Sequence, residues 1–297
     1  MTLAILLPLG ILGFLITLET LLVCFLVARV KSLRTFTNGF VVSLAVADLL
    51  YGAVVIPMYI GNGPRMALSY MVTIVLLANI STLLSVTFDR YLIVLHPLVY
   101  KPLMEKHFYK IIIASWVFPV GISLVPLLYS SNYSHIGHKI FVYFIVIIGV
   151  VVPYIAILLA YAMIFHRVAR HVKYLALNNR NDDDSEERQE GRRVTAEANV
   201  AKIFVIIAII FIISWLPIVY MTVVNNIGRY DLIPGELAIA SWFTLSIGSL
   251  VNAPIYAFAK KDFNTAIRKI ICPTQRRETM ENNVGEEQTQ TDCLEKA

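Results

Sequence analysis

An acid and a base stand side by side at Asp89-Arg90, followed by Tyr91, where a long apolar stretch gives way to a segment rich in Lys and His. Opposite charges at such an edge hold one another or exchange partners, which is the chemistry of an electrostatic latch rather than of bond making. Two further acids, Glu19 and Asp48, lie within apolar runs. A carboxylate at mid-membrane costs roughly 2.5–3.5 kcal/mol on insertion scales, so it faces protein or water and has work to do. For Glu19 two readings stand: an acid that hydrogen-bonds within its bundle, or a proton or ion sensor. Trp215-Leu216-Pro217 puts a proline inside an apolar run, where it removes a backbone hydrogen bond and kinks a helix. There is no metal-ligand spacing, nucleophile elbow or phosphate-cradling glycine loop, and the acids do not form a catalytic pair. The reading is that of a protein that is not an enzyme.

The elements that must carry these groups are membrane helices. Of 297 residues, 58% are hydrophobic and only 15% charged, a balance outside the range of ordinary soluble domains. About 20 residues at 1.5 Å rise cross a hydrocarbon core of roughly 30 Å. Runs of that length fall near residues 3–29, 39–61, 68–92, 108–128, 140–166, 200–225 and 235–259, predicting seven spans. No cleavable leader is evident, so the first run is expected to act as its own signal anchor. Lys and Arg cluster after the odd-numbered spans, at Arg29, Lys31 and Arg34, at Lys101, Lys106 and Lys110, at Arg167, Arg170 and Lys173, and at Lys260 and Lys261. The opposite loops offer Arg65, Lys139 and Arg229. This bias predicts an outside N-terminus and a cytoplasmic tail, and it explains the net charge of +5 through membrane lipid, without nucleic acid.

Cys24, Cys272 and Cys293 all fall in a span or on the cytoplasmic side, so no extracellular disulfide is expected. Asn132-Tyr133-Ser134 is a glycosylation sequon in a loop that the charge bias places outside. Between spans five and six, a stretch containing Asp182-Asp183-Asp184 and Glu186-Glu187 is too charged to pack, and a flexible loop is expected over about 174–196. No internal repeat is visible, which weakens a transporter reading.

Ordered landmarks run through the second to the seventh spans. They are Leu44-Ala45-Val46-Ala47-Asp48, Asp89-Arg90-Tyr91, Trp116, Pro153 with Tyr161, Trp215-Leu216-Pro217, and Asn252-Ala253-Pro254-Ile255-Tyr256 followed by Phe263. On these motifs the chain resembles the rhodopsin-like (class A) G-protein-coupled receptors over essentially residues 10–272. Phe40-Val41-Val42-Ser43-Leu44-Ala45 and the spacing from Glu197 to Trp215 look most like adenosine receptors and the related melanocortin, cannabinoid and lysophospholipid receptors. The resemblance implies an all-α, seven-transmembrane bundle over residues 1–272 with a short amphipathic cytoplasmic helix, and a disordered cytoplasmic tail over 273–297. It also implies a plasma-membrane location.

In such a receptor Arg90 pairs with Asp89 and with Glu197, and Pro217 and Trp215 form the lever by which the sixth helix swings outward. Tyr161 and Tyr256 then support the active form. Asp48, with Asn79 and Asn252, would form an allosteric sodium site, although Gly248 stands where a polar residue is common. No other cofactor is expected. Other departures are Thr20 in place of an Asn, Arg65 in place of a Cys, and Ala253 at the usual proline position, with Pro254 following.

Family alignment turns Val72, Thr73, Leu76, Ile218, Val219, Thr222, Trp242 and Ser246 toward an outward-facing ligand cavity. Val72 stands where amine receptors carry their acid, and Ser246 where opsins carry their retinal-binding Lys. Thr222 and Ser246 also replace the Asn and His of adenosine recognition, so an uncharged or lipid-like small ligand is expected, with an adenosine-type nucleoside as the alternative. On the inner face, Arg90 and Pro97-Leu98 in the second cytoplasmic loop would meet a heterotrimeric G protein. Kinases and arrestin are further partners there, and Cys272 is a candidate palmitoylation site. Two other readings stay open: a seven-helix transporter or proton pathway using Glu19 and Asp48, and a receptor-like protein with weak or no signalling.

Overall fold

In hydrocarbon an unpartnered backbone N–H or C=O costs several kcal/mol, so a long apolar run closes its hydrogen bonds internally as a helix. The computed structural model describes residues 3–127, 136–178, 206, 209, 210 and 212–259, and there the chain forms seven such helices. They are α1 (Leu3–Arg29), α2 (Phe36–Ile60), α3 (Arg65–Leu95), α4 (Pro97–Leu127), α5 (Ile136–Asn178), α6 (Ile212–Ile227) and α7 (Gly235–Ala259). The first five are long and apolar enough to cross a membrane. The apolar part of α6 described here is shorter, and α7 is diluted by Ser and Thr along its length.

The helices are apolar on both sides, and burial separates the two faces. In α1, Leu3, Leu7, Ile11, Phe14, Leu18, Leu22 and Phe25 recur every three or four residues and are exposed, while Leu9, Gly13, Ile16, Thr20 and Val23 are buried. The outward stripe suits lipid and the inner one packs on α2 and α7. Long, central α3 packs against α2, α4 and α5. Gly13 and Gly52 let α1 and α2 touch backbone to backbone, since a Cβ on Gly52 would lie 2.9 Å from the Gly13 carbonyl oxygen. Trp116 of α4 donates its Nε1–H to Ser43 Oγ of α2 at 2.9 Å.

Two helices widen into π turns, at Tyr51–Val55 in α2 and Ile145–Val151 in α5. Each lies just before a proline, Pro57 or Pro153, whose ring crowds the preceding turn and lacks a donor. The wider turn accommodates that clash and rotates the residues around it.

Two predicted boundaries need correction. The segment read as the second cytoplasmic loop is a single residue, His96, because α3 runs to Leu95 and α4 begins at Pro97. Pro97 suits the first helical position, where its missing N–H would have no partner anyway. Pro97 and Leu98 therefore sit on a first helical turn, with Leu98 92% exposed. At its far end α5 continues to Asn178, past the expected loop edge at 174.

Candidate functional site

Three groups of side chains meet inside the bundle. At the end away from Asp89, a cavity of about 990 Å³ opens between α3, α5, α6 and α7. Val72, Thr73 and Leu76 of α3, Ile218, Val219 and Thr222 of α6, and Trp242 of α7 line it. Ser246 does not. It is fully buried beneath the wall, donating its hydroxyl to the Trp242 carbonyl at 2.7 Å and lying 3.3 Å from the Tyr51 hydroxyl. Tyr51 reaches that place from the π turn of α2, a rotation that the family spacing does not foresee. Trp242 is held from the other side by Tyr59, whose ring stacks on it at 3.9 Å.

Trp215, 3% exposed, also lines this cavity and stands two residues before Pro217 in α6. Arg65, His138, Lys139, Asn225 and Asn226 line the cavity too. Asn226 Nδ2 donates to the Lys139 carbonyl at 3.0 Å and ties the end of α6 to the start of α5. Arg229 is engaged elsewhere, forking onto Asp231 at 2.8–3.2 Å and holding that exposed carboxyl below its usual range.

At mid-bundle Asp48 is 1% exposed and accepts from Asn252 Nδ2 at 3.0 Å through Oδ2. Asn79 and Ser249 also bring hydrogen-bonding side chains to this carboxylate. The three residues assigned to a cation site are thus together, with Asp48 Oδ1 and Asn79 Oδ1 buried among them as acceptors lacking a donor. That surplus of hard oxygen fits a small cation. No motif in the sequence marks Ser249, which reaches Asp48 only through the fold. At Gly248 a Cβ would lie 2.6 Å from Ser214 Oγ, so a serine of α6 occupies the space a side chain there would need. Glu19 lies near enough to feel the charge of Asp48, with Oε1 buried and no donor on it. Thr20 turns inward instead, its hydroxyl donating to the Ile16 carbonyl at 2.7 Å.

At the basic end Asp89 is fully buried and fully served. Thr37 donates to Oδ2 at 2.7 Å, Tyr100 donates to Oδ1 at 2.8 Å, and Arg90 Nε lies 3.7 Å from Oδ2. Neither hydroxyl was foreseen, because Tyr100 comes within reach only when α4 begins at Pro97. Tyr91 packs on His96 with ring centroids 5.8 Å apart. Tyr161 is buried in α5, with its hydroxyl 3.5 Å from Thr87 Oγ1 and close to Arg90. Glu197, Asn132 and Cys272 lie outside the described residues, as does the expected amphipathic helix, and the side chain of Tyr256 is likewise not described.

Residues 19–256 match the family model of the 7 transmembrane receptor (rhodopsin family). A Gq-coupled rhodopsin of Mizuhopecten yessoensis is 24% identical over 86% of the chain, which spans 57% of that protein's length. The 5-hydroxytryptamine receptor 4 of Cavia porcellus is 26% identical over 88% of this chain and 77% of its own. The crystal structure of squid rhodopsin superposes with a TM-score of 0.77 at 20% identity, covering 90% of this chain and 84% of that one, which establishes the shared fold. A bundle of this shape, with Asp48–Asn252 at its middle and Asp89-Arg90 at its basic end, is what that match spans, and the chain belongs to the rhodopsin family of seven-transmembrane receptors.

Proposed function

We propose that this chain is a G-protein-coupled receptor that binds an extracellular small ligand, uncharged or lipid-like, in the cavity above Trp215 and activates heterotrimeric G proteins at its Asp89 end. The observation that carries this reading is the cavity itself, whose wall beside Trp215 and Pro217 is mostly apolar with a few polar groups. A ligand pressing on Trp215 shifts α6 about the weak point at Pro217, where the helix lacks a hydrogen bond. The stretch of chain that precedes α6 in the sequence and includes Glu197 then moves outward from Arg90. Arg90, released, joins Tyr161 and Tyr256 in the active form, and Pro97 and Leu98 offer the G protein an exposed contact on the first turn of α4.

Asp48, Asn79 and Asn252 hold a sodium ion in the resting form. The Lys and Arg distribution supports an outside N-terminus, which puts the Asn132 sequon outside and Cys272 on the cytoplasmic side, where it is a candidate for palmitoylation; the family resemblance supports the plasma membrane. Members of this family are receptors, so neither an enzyme nor a transporter is proposed. Ser246, buried under Trp242, offers nothing to a nucleoside, which disfavours the adenosine-type alternative. The test is a G-protein activation panel across the four Gα classes in cells expressing the full chain, challenged with nucleosides, lipids and peptides. Activation by lipids and not by nucleosides supports the reading. Activation by nucleosides or peptides alone overturns the ligand assignment.

A further inference from the structure

The charge at the mouth of the cavity is lopsided. Arg65, His138 and Lys139 line it, and among the described residues no Asp or Glu does. Across the described stretches at this end of the bundle, residues 61–66, 136–139 and 226–236, the only acids are Asp231 and Glu236. Asp231 is taken by Arg229, and Glu236 stands exposed at the start of α7, away from the lining. Arg65 and Lys139 form no ion pair among the described residues.

Below this rim the wall turns apolar, through Leu68, Leu76, Leu77, Val146 and Ile218 down to Trp215. Arg65 and Leu77 both line the cavity twelve residues apart on α3, about 18 Å at 1.5 Å per residue. The volume, about 990 Å³, lies at the upper end of the roughly 300–1,000 Å³ usual for small-molecule sites. A largely apolar cavity with a cationic rim matches a molecule of the same polarity pattern.

We propose that the cavity takes an amphiphile with an anionic head, a carboxylate or a phosphate set against Arg65 and Lys139, and a long apolar chain that runs down toward Trp215. The head keeps its charge and part of its water at the rim while the chain is buried, so each group meets the environment that favours it. The tie from Asn226 to the Lys139 backbone carbonyl joins the end of α6 to the start of α5 beside the opening. This inference rests on the reading of the cavity as the ligand site and narrows it, from uncharged or lipid-like to lipid-like with a negative head.

The experiment is a thermal-shift titration of the full chain in phosphatidylcholine nanodiscs with hexadecanoate, the lysophosphatidate of the same chain length, and methyl hexadecanoate as the neutral isostere. Two partly screened charge pairs predict that an anion binds about tenfold more tightly than the ester, and that the gap narrows as salt is raised. The comparison of hexadecanoate with lysophosphatidate identifies the head. In the double variant Arg65→Ala/Lys139→Ala the gap closes while the melting temperature of the unliganded protein is unchanged, because both side chains are exposed. An ester that binds as well as both anions, or anion binding untouched in the double variant, overturns the anionic head and leaves the apolar ligand site standing. If none of the three binds to protein that melts cooperatively, the lipid-like ligand falls as well.

Discussion

Replacing Tyr100 by Phe removes one hydroxyl and leaves the ring in place. That hydroxyl donates to Asp89 Oδ1 at 2.8 Å, and Asp89 has no exposure through which water could substitute. A hydrogen bond to a charged group contributes about 1.5–3 kcal/mol, more than one between neutral partners. Thr37 and Arg90 still hold Oδ2, so the carboxylate remains partly served and the loss falls at the lower part of that range. If this clamp belongs to the resting arrangement, its loss raises the equilibrium constant toward the active one by about tenfold, since 1.4 kcal/mol is a factor of ten. A resting active population of about 1% would then approach 10%. The assay is ligand-free nucleotide exchange on purified G protein, with wild type and Tyr100→Phe at equal receptor concentration, alongside thermal melting. The account predicts higher basal exchange and a lower melting temperature, with Thr37→Val moving both the same way. A lower melting temperature with unchanged or reduced basal exchange would refute it, making Tyr100 a packing residue with no part in the latch.

Three other outcomes follow from the interior. Sodium should raise the melting temperature of the wild type in the millimolar range, and Asp48→Asn should abolish that dependence; a sodium response that survives the substitution would remove Asp48 from the site. Gly39→Ala should be destabilising by about 1–3 kcal/mol, because its Cβ would run into Phe108, whose ring is already packed against Phe36 and Phe40 at centroid distances of 5.2 and 5.0 Å; melting as stable as wild type would show that the ring can yield. Trp116→Phe and Ser43→Ala each lose the 2.9 Å hydrogen bond between α4 and α2, and a double-mutant cycle in thermal melting should return a coupling of about 0.5–1.5 kcal/mol. Fully additive losses would show that the bond contributes nothing.

The seven spans are legible because hydrocarbon thickness dictates the length of an apolar run, and no tertiary contact is needed to read it. Their ends are less so. Lys101, Lys106, His107 and Lys110 lower the hydropathy of the first turns of α4, yet helix formation continues through them from Pro97. The middle of the site is legible in Asp48 and Asn252, since a buried carboxylate demands a donor and they are 3.0 Å apart. Rotational phase is what the sequence hides. Membrane helices are apolar on both faces, so no periodic contrast says which side turns inward, and the π turns at Tyr51–Val55 and Ile145–Val151 shift that phase again. This is why Ser246 reads as a wall residue and proves to lie beneath Trp242 against Tyr51. It is also why Tyr100 and Ser249 emerge only in three dimensions.

The central claim is that a receptor of this family works through the Asp89-Arg90 latch and drives G proteins. Nucleotide exchange by purified heterotrimers of each Gα class, measured with the full chain in nanodiscs, tests it most directly when wild type is compared with Arg90→Ala. The account predicts that wild type accelerates exchange on at least one class and that Arg90→Ala abolishes the acceleration without lowering the melting temperature by more than a few degrees. Equal acceleration by the two proteins, or none by wild type on any class in the presence of the amphiphiles that bind it, would contradict it.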